Sequence, residues 1–136
     1  MNEMFADLLT ALKEGSSTKL KIILNTNDQR KEYPSFEEIE DAIRNLPGDQ
    51  TSFLVLERYP FLHGCVYLQA AYPAPEYDDE LGYLVELRHR EGEVYRQFRL
   101  RTHDLQEVIG IFADFYIAEQ LPDLDSWEDV TQEFEN

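Results

Sequence analysis

Beyond Arg101 the chain contains no lysine or arginine. The last 33 residues instead carry ten carboxylates: Asp104, Glu107, Asp114, Glu119, Asp123, Asp125, Glu128, Asp129, Glu133 and Glu135. They supply −10 of a formal net charge of −16, which comes from 28 acidic and 12 basic residues. A field of one sign steers basic partners inward and repels nucleic acid and anionic membranes. A single cysteine, Cys65, excludes an internal disulfide and agrees with a reducing cytosol. No segment approaches the ~18 consecutive apolar residues of a membrane span. The start, Met1 to Asp7, lacks the basic residues and apolar run of a signal peptide. The expectation is a soluble cytoplasmic protein without a nucleic-acid or membrane partner.

What is present suffices for a core. With 136 residues, 43% hydrophobic and 12% aromatic, the chain fits one domain able to bury well over half of its unfolded surface. Phe5, Leu8, Leu9 and Leu12 recur at helical spacing until Gly15-Ser16-Ser17 interrupts them. Lys19–Leu24 alternates at first and suggests a strand at a sheet edge, where its lysines discourage unwanted pairing. Asn25–Tyr33 is polar and reads as a loop. Ser35-Phe36-Glu37-Glu38 is a capping box, and Phe36, Ile39, Ile43 and Leu46 form the apolar stripe of the helix that follows, ended by Pro47-Gly48.

Four strands follow, over Phe53–Arg58, Gly64–Tyr72, Leu81–Arg90 and Glu93–Arg101. If Glu91-Gly92 is the turn of the last pair, Arg90 meets Glu93, Arg88 meets Tyr95, Val85 meets Phe98 and Tyr83 meets Leu100. One face then holds Tyr83, Val85, Leu87, Val94, Phe98 and Leu100, with Arg96 opposite Leu87. The other holds Glu86, Arg88, Arg90, Tyr95, Gln97, Arg99 and Arg101 and looks toward water. Asp104, with Glu107 completing a second capping box, opens a final helix whose apolar face is Leu105, Val108, Ile109, Phe112, Phe115 and Tyr116. Leu121-Pro122 closes it. The expected fold is a single α+β domain over residues 1–136, an antiparallel sheet of four to five strands with helices on one face. Residues 1–34 form an N-terminal helix–strand extension and residues 120–136 an acidic tail.

Enzyme signals are weak, and no catalytic residue, metal ligand or cofactor is assigned. His63 and Cys65 would share a strand face, as a thiol and its base must. Nothing marks the thiol as activated, so a buried structural cysteine is the preferred reading. His89 and His103 lack zinc-ligand spacing. Glu76, Asp78, Asp79 and Glu80 lack the glycine and spaced oxygens of a calcium loop and read as solvated. No glycine-rich phosphate loop occurs. Arg88, Arg90, Arg99 and Arg101 around Tyr95 offer an alternative face for a small anionic ligand, against the simpler reading of a mixed-charge outer surface. Trp127 reads either as an anchor for the tail or as an exposed contact.

Ser35 to Glu40 with Ile43 and Leu46, Phe53 to Glu57, Tyr83 to Glu86, Tyr95, and Trp127-Glu128-Asp129 resemble a loose group of small acidic bacterial α+β proteins that includes immunity proteins of polymorphic toxin systems. The resemblance runs from Ser35 to Asp129 and rests mainly on core pattern. It implies a stoichiometric, non-catalytic inhibitor of a toxin made by the same or a neighbouring cell. On that reading Asp123, Asp125, Trp127, Glu128 and Asp129, then Glu76, Asp78 and Asp79, face a basic partner such as a nuclease toxin domain. A second copy of the chain is a further candidate partner.

Overall fold

The computed structural model describes residues 20–48, 52–73 and 82–134. The helical spacing at Phe5 to Leu12 and the acidic residues Glu76, Asp78 and Asp79 lie outside them. Within the described residues seven strands form one antiparallel sheet: β1 (Lys21–Thr26), β2 (Arg30–Glu32), β3 (Phe53–Tyr59), β4 (Cys65–Ala71), β5 (Tyr83–Glu91), β6 (Val94–Thr102) and β7 (Glu128–Asp129), in spatial order β2-β1-β3-β4-β5-β6-β7. Among the described residues two helices, α1 (Phe36–Asn45) and α2 (Leu105–Tyr116), pack on one face.

The sheet is therefore wider than the four to five strands expected. The segment read as a polar loop turns back at Asn27–Gln29, and Arg30-Lys31-Glu32 pairs with β1. That hairpin makes β1 an interior strand between β2 and β3, so its lysine does not guard an edge. β7 is added at the opposite side by the acidic tail. Each outer strand is too short to leave an apolar alternation in the sequence.

The β5–β6 hairpin turns on Gly92-Glu93, one position later than expected, and the register moves by two: Arg90 meets Tyr95, Arg88 meets Gln97, Glu86 meets Arg99 and Val85 meets Leu100. Gly92 has φ +62°. Glycine adopts this left-handed conformation readily at the first turn position of a two-residue hairpin. Because the shift is an even number, no side chain changes face. Arg96 now meets His89 instead of Leu87, and Val94 is exposed at the tip.

The core lies between the helices and Leu24, Leu54, Leu56, Leu68, Ala70, Tyr83, Val85 and Leu87 of the sheet. Ile39 and Ile43 fill it from the first helix, Leu46 from the 3-10 turn that follows, and Val108, Phe112 and Phe115 from the second helix. The Ser35 capping box forms reciprocally: Glu38 N–H donates to Ser35 Oγ at 3.2 Å, and Ser35 N–H donates to Glu38 Oε1 at 3.0 Å. At α2 only half of the expected box is made. Asp104 Oδ1 accepts from Gln106 and Glu107 N–H at 2.9 and 3.3 Å, but Asp104 N–H donates to Thr102 Oγ1, which takes the place of the Glu107 carboxylate. The helices are tied by Phe36 against the Tyr116 ring and by Tyr116 OH donating to the Pro34 carbonyl. Among the described residues no helix is long and apolar enough to cross a membrane.

Candidate functional site

The acidic segment after α2 wraps the outer edge of β6. Asp123 accepts from Asp125 N–H at 3.0 Å and starts a 3-10 turn over Leu124–Ser126. The chain then inserts Trp127 into the helix-side core, only 8% exposed, and pairs Glu128 with Arg99 and Asp129 with Phe98 as β7. Val130 is buried next, its N–H donating to the Gln97 carbonyl, and the 3-10 turn Thr131–Phe134 is tied to β6 where Gln97 N–H donates to Thr131 Oγ1 at 3.0 Å. Trp127 is thus the anchor of this segment. Its ring is almost entirely buried and offers a partner little surface.

This anchoring holds the tail carboxylates at defined positions and divides them. Glu119 pairs with Arg58 at 3.0 Å, Glu133 with Arg99 at 3.1 Å, and Asp129 with Arg96 at 3.6 Å. The Thr131 hydroxyl and N–H, together with Arg96, hold the Asp129 carboxyl below its ordinary value. Asp123, Asp125 and Glu128 are exposed and make no ion pair among the described residues. An open groove beside them is lined by Arg96 and residues 128–133.

The arginine face is less uniform than its sequence suggests. Arg99, its side chain 14% exposed, donates through Nε to Glu86 Oε2 at 2.9 Å and grips Glu133 with both terminal nitrogens at 3.1 Å. Glu86 is 5% exposed and also accepts from Gln97 Nε2 at 2.8 Å. Gln97, fully buried, donates a second bond to Tyr67 OH and accepts from Arg88. Tail and network together bury the middle of a face expected to look toward water. Burial disfavours the Arg99 charge, but the two carboxylates outweigh it and raise its pKa. Arg99 is therefore neutralised within the molecule. Arg88 and Arg90 instead stand over the Tyr95 ring, 4.6 and 5.9 Å from its centroid. Arg101 lies on the same face with interactions of its own.

Tyr67, Glu86 and Gln97 were not singled out from sequence as members of a network. A signal existed: of the two hairpin registers, only the one that puts Gly92 first in the turn sets Glu86 opposite Arg99.

Cys65 and His63 do not form a dyad. His63 and Gly64 occupy the turn that joins Leu62 to Cys65, so the strand alternation does not reach His63. A bulge between Cys65 and Tyr67 turns the thiol into the core alongside Leu68, where it donates to the Tyr67 carbonyl at 3.3 Å. Burial pushes it up to about 12, which keeps it protonated. Among the described residues no cluster of three or more His, Cys, Asp or Glu is arranged to hold a metal ion.

No protein-family model matches the chain, and neither a curated protein nor a solved structure does.

Proposed function

We propose that this chain is a non-catalytic binding protein, an immunity-like inhibitor whose acidic C-terminal tail docks on a basic protein such as a nuclease toxin. The supporting observation is the exposed display of Asp123, Asp125 and Glu128 on a segment anchored by Trp127 and by pairing with β6. They flank a buried tryptophan and pair with no cation among the described residues. Charges held in place before association lose little entropy on binding, and a patch of one sign accelerates encounter with an oppositely charged cleft. A phosphate-binding nuclease cleft is such a surface. Asp129 contributes less, because Thr131 and Arg96 already engage it.

The test is stopped-flow association with a basic nuclease domain encoded beside this chain's own gene. Association should slow steeply as salt rises, and Asp123→Asn, Asp125→Asn and Glu128→Gln together should lower the rate about tenfold at low salt. Absence of binding at low salt sinks the proposal.

A further inference from the structure

Twelve lysines and arginines face 28 acids in this chain, so a basic side chain without a carboxylate partner is unexpected. Lys13 and Lys19 lie outside the described residues, which leaves ten. Seven of these pair with carboxylates: Lys21, Arg30, Lys31, Arg44, Arg58, Arg96 and Arg99. Arg101 has interactions of its own. Arg88 and Arg90 remain. Among the described residues each meets an aromatic ring and a neutral oxygen, but no carboxylate.

We propose that Arg88, Arg90 and Tyr95 form a second interaction surface, one that takes an extended acidic peptide segment of a protein partner. The two guanidinium groups stand on alternate residues of β5, about 6.8 Å apart along the strand. Tyr95 fixes both from the neighbouring strand. Arg88 donates one bond to Gln97 and Arg90 one to the Gly92 carbonyl, which among the described residues leaves most donors of each fork for an incoming carboxylate. Carboxylates at positions i and i+2 of an extended chain lie on one face at the same spacing.

Three observations favour a peptide over other anions. Arg90 and Tyr95 are exposed at the turn end of a hairpin, whereas small-molecule sites bury most of their ligand. The adjoining apolar surface, Val94 at 57% and Tyr95 at 39% exposure, suits side chains better than free ions. The net charge of −16 opposes a polyanion such as nucleic acid far more than a segment with two carboxylates. Glu91 and Glu93 are the acids at the tip and limit the charge a ligand can carry; Glu86 is already held by Arg99 and Gln97.

The experiment uses the full chain near 0.15 M salt, where repulsion from distant acids is screened beyond about 8 Å. The probe is a dye-labelled, end-blocked peptide bearing Glu-Val-Glu, compared with one bearing Glu-Glu-Val. Alternate glutamates should bind several-fold more tightly than adjacent ones. Arg88→Gln with Arg90→Gln should weaken the better peptide about tenfold, the order expected when two exposed ion pairs are lost together. If the double variant does not fold, Arg90→Gln alone should still weaken binding about threefold, because its side chain is exposed. Equal affinity for both peptides, no change in the folded variants, or displacement by millimolar inorganic phosphate would each overturn the proposal. Asp123→Asn with Asp125→Asn should leave this binding unchanged, which separates it from the proposed docking of a basic partner.

Discussion

Arg99 of β6 holds Glu133 of the tail through two parallel N–H···O bonds, each 3.1 Å. The same guanidinium holds Glu86, so one cation serves a buried and an exposed acid. The two partners have unequal worth. Glu133 is more than half exposed, and its replacement by Gln should cost no more than about 1 kcal/mol after solvent screening. Arg99→Ala leaves Glu86 buried without its cation and should cost about 3 kcal/mol. Urea unfolding of the two variants checks the order, and a larger loss for Glu133→Gln would contradict it.

Asp129 links the tail to pH. Its folded carboxyl titrates below its ordinary value, chiefly through the Thr131 hydroxyl and N–H. A depressed folded pKa contributes stability that is complete above the unfolded value, near 3.9, and is lost as pH falls through the folded one. The stability gap between the parent protein and Asp129→Asn should therefore be constant at neutral pH and narrow below about pH 4. Paired denaturation curves at several pH values measure it. A gap that widens in acid has the wrong sign.

Trp127 is the only tryptophan in the chain, so its emission reports this one anchor. Burial predicts blue-shifted fluorescence, weak quenching by acrylamide, and a red shift on unfolding. Trp127→Ala should lose about 3–5 kcal/mol through the cavity it leaves. Full quencher access in the native protein would refute this placement.

Cys65 should resist alkylation. Its thiol is fully buried and raised to about 12, so thiolate is scarce at pH 8 and reagents have no route to it. Iodoacetamide should label the unfolded chain promptly and the native chain only as fast as it opens. Rapid native labelling would mean that the core around Leu68 is open.

Much of the frame was legible because side-chain periodicity reports burial directly. The stripe Ile39, Ile43 and Leu46 and the alternation Tyr83, Val85 and Leu87 are those of elements with one buried face. The Ser35 box was legible because its chemistry is local. The hairpin register was misplaced since Glu91-Gly92 and Gly92-Glu93 give identical faces and differ only in which residue takes positive φ. β2 and β7 carry no hydrophobic alternation, and partners far along the chain recruit them. The sheet-face arginines were visible as a group, but their division into neutralised Arg99 and ring-bound Arg88 and Arg90 depends on a tail that arrives from 34 residues away.

Both outer strands of the sheet consist entirely of charged residues, Arg30-Lys31-Glu32 on one side and Glu128-Asp129 on the other. Fibril growth by strand addition needs two receptive edges on every molecule, one to accept and one to offer. Acid would neutralise the Glu128-Asp129 edge while leaving Arg30 and Lys31 charged on the far side. The protein should therefore withstand high concentration and an acidic shift without polymerising, because at most one end of each sheet can become adhesive.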